Sequence, residues 1–153
     1  MIISILNLKG GVGKTTSAIG LATAAVRDGQ DVRVLDTDPQ SSASLWAMVA
    51  SDNGDDLPFA VESANIATVR MTAKKLKGDK GTWVFIDCPP NGNVADEAMK
   101  AADMVVIPTT PAPADIVKTF ETAETVSGRG IFYAILLNRV AKNTLTLKGA
   151  LSD

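Results

Sequence analysis

The chain reads Lys9-Gly10-Gly11-Val12-Gly13-Lys14-Thr15-Thr16 directly after a short apolar run and directly before a segment of helical period. A strand, a glycine-rich loop and a helix in this order form the setting in which proteins bind nucleotide phosphates. The glycines allow the backbone to curl so that its N–H groups point inward, and the helix adds the positive end of its dipole. A plain glycine-rich turn is the alternative, and the complete match disfavours it. We therefore predict that all of these residues form a phosphate-binding loop.

Two side chains at the end of this loop suit a triphosphate. We expect the Lys14 ammonium to reach the outer phosphates of the nucleotide. We expect the Thr15 hydroxyl to bind Mg²⁺, which neutralises and orients the phosphate tail. Lys14 is therefore a predicted catalytic residue and Thr15 a predicted metal ligand.

Outside the loop, short apolar runs alternate with segments of helical period, the pattern of strands joined by crossover helices. The runs predict strands at 2–8, 31–36, 83–87, 104–108 and 132–138, with a weaker one at 59–61. We therefore expect an α/β fold: a mostly parallel, twisted sheet with helices on both faces. The length favours a single domain over residues 1–153.

Two helices are indicated by stripes of apolar residues that should pack on the sheet. One stripe consists of Ala18, Leu21, Ala22, Ala25 and Val26, and the other of Ile116, Phe120, Ala123 and Val126. Residues 52–56 are polar and predict a turn rather than a domain linker.

The composition excludes several kinds of chemistry. The chain has no histidine, so a Ser-His-Asp triad, an imidazole base and a histidine zinc site are all ruled out. Its net charge of −2 gives no overall attraction to nucleic acid or anionic membranes. The single cysteine, Cys88, fits a reducing cytoplasm, and we interpret it as a core thiol. The apolar opening at 2–6 is too short to cross a bilayer, so we expect a soluble cytoplasmic protein.

Three aspartates follow or end predicted strands, at the sheet edge where ligands of α/β proteins collect. Asp87 closes a hydrophobic strand downstream of the loop and is the predicted Walker B carboxylate that holds Mg²⁺. Asp36 and Asp38 follow the second strand and are suited to the metal or to a water molecule. Capping of the next helix is the alternative for both of them.

The loop has a lysine at its head as well as near its end, and this doubled lysine resembles the signature of the ParA/MinD group of ATPases. Further stretches resemble the same group: Asp36-Thr37-Asp38-Pro39-Gln40, Asp87-Cys88-Pro89-Pro90, the proline-rich segment 107–113, and Leu137-Asn138-Arg139. The likeness covers most of the chain, from Ile2 to Arg139.

The resemblance implies a role for each matching residue. Lys9 would reach the nucleotide of a second subunit, Asp38 would position the attacking water, and Asp36 would lie near the metal. Asn138 would read adenine, which favours ATP over GTP, although an asparagine that caps the next turn is an alternative. Segment 107–113 would face a partner, or its prolines would only separate strand from helix.

The resemblance also implies a function: a slow, partner-stimulated ATP hydrolase that binds ATP or ADP with Mg²⁺ and segregates a plasmid or chromosome. Its expected partners are a second copy of the chain, joined to the first by ATP, and a ParB-like centromere-binding protein, in the cytoplasm or at the nucleoid. A regulatory nucleotide-binding module without hydrolysis and a MinD-like positioning ATPase are the alternatives.

Members of the group usually continue well beyond the position of Asp153, so we expect a domain that is short at its C-terminus. The basic DNA-binding face of the group commonly lies in that part, which puts non-specific DNA binding in doubt. Segment 144–151 is too short and too weakly basic for a membrane-surface helix, so no membrane contact is expected.

Overall fold

The computed structural model describes residues 1–79 and 81–141, so segment 144–151 lies outside the described residues. Strands and helices alternate along the chain: β1 (Ile2–Ile5), α1 (Lys14–Arg27), β2 (Asp31–Asp36), α2 (Ser42–Asp52), β3 (Ala60–Ser63), α3 (Ile66–Lys75), β4 (Thr82–Asp87), α4 (Asn93–Ala101), β5 (Met104–Thr109), α5 (Pro113–Ser127) and β6 (Phe132–Leu137).

The six strands form one sheet in the order β3-β2-β4-β1-β5-β6, and every pair is parallel. Because all strands run the same way, their carboxyl ends meet at one edge of the sheet. The strand order reverses next to β1, whose carboxyl end leads into the glycine-rich loop. This confirms the predicted α/β class and places the loop at the edge where ligands collect.

Two apolar cores cover the two faces of the sheet, because successive strand residues point to opposite sides. On one face, Val34 and Phe85 pack with Ala18 and Ala22 of α1. On the other face, the core is formed by residues of β1, β2, β4 and β5 together with residues of α3, α4 and α5. The molecule therefore has three layers, helix, sheet and helix, as expected. No helix of the described residues is long and apolar enough to cross a bilayer.

The strand predictions agree with the structure to within one residue except at the carboxyl ends of β1 and β3. β1 stops at Ile5 instead of continuing to residue 8, and β3 covers Ala60–Ser63 instead of 59–61. The early end of β1 has a polar cause, because the Asn7 side chain accepts a hydrogen bond from the Lys9 N–H at 2.9 Å. The backbone turns there instead of extending the ladder. The polar turn after α2 is confirmed, with Gly54 at φ 72.

The predicted stripe of α5 is wrong at Phe120, which is 42% exposed. Ala123 and Val126 do pack in the core, but the helix also buries Thr119 and Thr122. Both threonines donate to the backbone carbonyl four residues earlier. Their hydroxyls then accept hydrogen bonds from the segment that follows β1, so α5 faces that segment with polar groups.

Candidate nucleotide-binding site

The glycine-rich loop runs from the turn at Asn7 to the start of α1 at Lys14. Gly11 and Gly13 have φ values of 77 and 92, in the left-handed region that favours glycine. Gly13 has a second reason to lack a side chain, because a Cβ there would lie 2.9 Å from the amide nitrogen of Asn138. The loop therefore has the backbone shape that the sequence predicts.

Lys14 is buried at the first turn of α1, and its Nζ donates to the Lys9 carbonyl oxygen at 3.2 Å. Burial lowers the pKa of Lys14, against the charges of Asp87 and Asp38, which raise it. A buried ammonium whose hydrogen bond goes to a neutral carbonyl gains from a nearby anion. Lys14 is thus placed to exchange the Lys9 carbonyl for a phosphate oxygen.

The Thr15 hydroxyl donates to a carboxylate oxygen of Asp87 at 2.7 Å. Burial raises the pKa of Asp87 to about 6, although the hydrogen bond from Thr15 and the charge of Lys14 lower it. Neighbouring Asp36 raises it further. A buried carboxylate with so little compensation is stabilised by a cation.

The donor set at this position fits Mg²⁺. Mg²⁺ is bound by oxygen, commonly through one or two carboxylates together with phosphates and water rather than by a full protein cage. Within residues 1–79 and 81–141, no three His, Cys, Asp or Glu side chains are grouped as a metal site. The Thr15 hydroxyl and the Asp87 carboxylate supply the kind of partial set that Mg²⁺ shares with a nucleotide.

Asp36 lies beside Asp87 but is used differently. One of its oxygens accepts hydrogen bonds from both the backbone N–H and the hydroxyl of Ser44, at 2.8 and 2.7 Å, and the other accepts from the Asp38 N–H at 3.3 Å. Asp36 therefore binds a free N–H in the first turn of α2, the capping role that was its alternative. Its assignment to the metal stays a prediction.

Asp38 is half-buried on the wall of the cleft, and its side chain accepts from the Gln40 N–H at 2.9 Å. It is close enough to Lys14 and Asp87 to affect the pKa of each. Its role with water also remains a prediction. Lys9, by contrast, is exposed at the head of the loop.

An open cleft of about 960 Å³ lies over the loop. Part of its lining was not predicted from sequence, namely Trp46, Asn91 and Arg139. The rest of the lining comes from the loop, from the segments that follow β2 and β4, and from the first residues of α1, α2 and α4: Gly10, Gly11, Gly13, Lys14, Thr15, Thr16, Asp38, Pro39, Gln40, Ser42, Pro89, Pro90, Gly92, Asn93 and Val94. The cleft has the polar floor and the volume that a nucleotide requires.

Asn7 anchors the start of the loop and was not singled out from the sequence. Its fully buried amide donates to the Pro108 carbonyl and to the Thr119 hydroxyl, at 2.9 and 3.0 Å. The Leu8 N–H donates to the Thr122 hydroxyl at 3.2 Å. A polar residue at the end of an apolar run, immediately before the loop, is the signal that points to it.

Asn138 lies at the end of β6 against the middle of the loop. Its amide nitrogen donates to the Val12 carbonyl at 3.1 Å and to the Ser17 hydroxyl at 3.2 Å. These contacts add a second anchor to the loop, and the reading of adenine by Asn138 stays a prediction.

Two further residues of the motifs, Cys88 and Pro113, have structural roles. Cys88 is fully buried and burial raises its pKa, so the thiol is protonated and packs in the core as expected. Pro113 is at the start of α5, a position that favours proline because the missing N–H needs no partner there. The third proline of the predicted partner-facing segment is therefore explained by helix initiation.

A phosphate-binding loop after the first strand of an all-parallel sheet, with a threonine and a strand-end aspartate in contact beside it, defines a P-loop nucleotide-binding domain. The chain belongs to the CobQ/CobB/MinD/ParA nucleotide binding domain family, whose model matches residues 3–153.

Relatives of this chain include proteins named for distribution and partition. It is 36% identical over 147 residues to the maintenance of carboxysome distribution protein A of Gloeobacter kilaueensis, covering 94% of this chain and 65% of the relative. It is 28% identical over 146 residues to the chromosome partitioning protein ParA of Caulobacter vibrioides, covering 70% and 55%. The chain thus spans less than two thirds of either relative.

Solved structures share the fold. A plasmid partition protein from Borrelia burgdorferi matches with a TM-score of 0.78 and 21% identity, over 99% of this chain and 83% of that one. The septum site-determining protein MinD of Pyrococcus horikoshii, complexed with Mg-ADP, matches with a TM-score of 0.74 and 24% identity, over 99% and 76%. At these identities the likeness concerns the fold.

Proposed function

We propose that this chain is the nucleotide-binding part of a ParA-type ATPase that binds and hydrolyses Mg-ATP and uses ATP-dependent dimerisation to segregate or position a cargo. The observation that carries the proposal is the meeting of Lys14, Thr15 and Asp87 at the glycine-rich loop. A buried ammonium, a hydroxyl and a carboxylate of raised pKa lie together under one open cleft.

Each residue has a defined task in this proposal. The loop N–H groups and Lys14 bind the phosphate tail, and Thr15 and Asp87 hold Mg²⁺. When bound, Mg²⁺ neutralises phosphate charge and orients the tail. Asp38 orients the attacking water and accepts its proton, a task that falls to a carboxylate because the chain has no histidine. Lys9, exposed at the head of the loop, contacts the phosphates of a second subunit.

The names of the relatives support a cargo-positioning role without fixing the cargo. One relative is named for carboxysome distribution and others for chromosome partitioning. We propose a DNA molecule as the cargo, with a ParB-like protein as the partner that stimulates hydrolysis, in the cytoplasm or at the nucleoid. A protein body is the second candidate, which the carboxysome relative favours.

Phosphate release from ATP tests the proposed hydrolysis. The parent chain should release phosphate slowly, only with Mg²⁺, and faster with DNA and the partner protein. Asp38→Ala should bind ATP like the parent but turn it over more slowly by about a hundredfold, because general-base assistance contributes on that order. Tight ATP binding without phosphate release would favour the regulatory module instead.

Sedimentation tests the proposed dimer. The parent should be monomeric with ADP and dimeric with a slowly hydrolysed ATP analogue. Lys9→Ala should bind ATP but lose the dimer, because it removes a charge-assisted contact across the interface. Lys74→Ala, which changes an exposed lysine on α3, is the matched control and should still dimerise. Equal dimerisation of Lys9→Ala and the parent would remove Lys9 from the interface.

A further inference from the structure

The amide nitrogen of Asn138 is bound to the loop and to the first turns of α1. Its nitrogen donates to the Val12 carbonyl at 3.1 Å and to the Ser17 hydroxyl at 3.2 Å. A carbonyl oxygen can only accept, so the nitrogen and not the oxygen of the amide must face Val12. Both N–H bonds of that nitrogen therefore have partners in or next to the phosphate loop.

These bonds fix the direction of a peptide group. In a planar trans peptide the C=O and the N–H point in opposite directions. With the Val12 carbonyl held toward Asn138, the N–H of Gly13 is turned away from Asn138, toward the cleft that Gly13 lines. The Ser17 hydroxyl continues the arrangement, since it accepts from Asn138 and donates to the Gly13 carbonyl at 2.8 Å.

The Asn138 amide packs closely against the loop at Gly13. A Cβ at Gly13 would lie 2.9 Å from the Asn138 nitrogen, nearer than real contacts allow. A side chain at position 13 would therefore displace the Asn138 amide from its place against the loop.

We propose that Asn138 is a positioning residue that holds the Val12–Gly13 peptide with its N–H toward the phosphates. The inference rests on the proposed nucleotide site. A two-bond contact between an asparagine and adenine uses an amide N–H together with the amide oxygen. At Asn138 both N–H groups already have partners, so a two-bond contact with the base would release Val12 or Ser17.

The test compares three ligands that differ in what they offer beyond phosphate. ATP carries adenine, inosine triphosphate lacks its amino group, and inorganic tripolyphosphate has no base. Affinities for all three are measured with Mg²⁺ by calorimetry, using the parent, Asn138→Ala and Asn53→Ala. Asn53 is the matched control because its amide also donates to a backbone carbonyl, that of Val49 at 2.7 Å, but at the end of α2.

Asn138→Ala should weaken all three ligands by the same factor of about ten, because a buried carbonyl loses its donor and the loop its fixed shape. Asn53→Ala should bind like the parent. Loss of ATP affinity with unchanged tripolyphosphate affinity would overturn the proposal in favour of a role in reading the base. Unchanged affinity for every ligand would overturn it as well.

Ser17→Ala provides a second variant if Asn138→Ala does not fold. It removes one acceptor of the same amide, and it should weaken the three ligands equally, by about threefold. Where both single variants fold, the double variant should lose less than the product of the two factors, because the groups act through one contact. Unchanged affinities in Ser17→Ala would overturn the proposal. A parent that binds none of the ligands would instead refute the proposed function.

Discussion

Asp36 and Asp87 are direct neighbours in the sheet, at the ends of β2 and β4, and both are almost completely buried. Their environments differ. Asp36 accepts three hydrogen bonds, two from Ser44 and one from the Asp38 backbone. Asp87 accepts one from Thr15, and burial raises its pKa to about 6.

This difference distinguishes a carboxylate that stabilises the fold from one that remains available to a ligand. The hydrogen bonds of Asp36 offset the desolvation cost of burying its charge. The same bonds hold the first turn of α2 in place. Asp87 has little compensation until a cation arrives. Sequence position alone treats the two aspartates alike, whereas their hydrogen bonds favour Asp87 as the carboxylate of the proposed Mg²⁺ site.

The largest expected effect concerns Mg²⁺-dependent nucleotide binding. Asp87→Asn should lower the affinity for Mg-ATP by about a hundredfold, equivalent to about 3 kcal/mol, because it removes a charged oxygen ligand. Asp36→Asn should change it by much less. Calorimetry with and without Mg²⁺ measures both. Equal losses in the two variants would mean that both carboxylates serve the metal.

The next effect concerns stability without nucleotide. Asp36→Ala should lower the free energy of unfolding by about 2 kcal/mol, because the Ser44 N–H and hydroxyl and the Asp38 N–H lose their acceptor. Urea denaturation of the metal-free chain gives the value. Asp56→Ala, at an exposed aspartate, is the control and should change stability little. A loss as small as that of the control would show that Asp36 is not structural.

The smallest effect concerns pH. The pKa of Asp87 is about 6 in the folded chain and near 3.8 when unfolded, so the folded state binds more protons between these values. The contribution of Asp87 to stability should therefore fall as the pH rises from about 4 to about 6 and stay low above that. Asp87→Asn should remove this fall and make the metal-free chain more stable than the parent at pH 7. Parallel pH curves for parent and variant would contradict the assignment.

The sequence predicted the features that depend on local pattern. Apolar runs located β2, β4, β5 and β6 to within a residue or two, and the glycine spacing located the phosphate loop. It did not predict the anchors of that loop, because they come from distant parts of the chain. Asn7 contacts Thr119, which is 112 positions away, and Asn138 contacts Val12, which is 126 positions away.

The same reason explains the exposed side of α5. An apolar stripe predicts a buried face only when the surface opposite is apolar, and α5 instead meets polar groups of Asn7 and Leu8. Thr119 and Thr122 therefore take the buried positions and Phe120 is left outside. The orientation of α5 thus depends on the polar segment after β1 that packs against it. The periodicity of the helix sequence carries no information about that segment.

Calorimetry of Mg-ATP with the parent and Lys14→Ala tests the central claim most directly, because Lys14 is the buried cation of the loop. The parent should bind one Mg-ATP per chain, and Lys14→Ala should show no measurable binding while keeping the parent's circular dichroism spectrum. Lys74→Ala, on the exposed surface of α3, should bind as the parent does. Equal affinity of Lys14→Ala and the parent would show that the nucleotide phosphates do not bind at this loop.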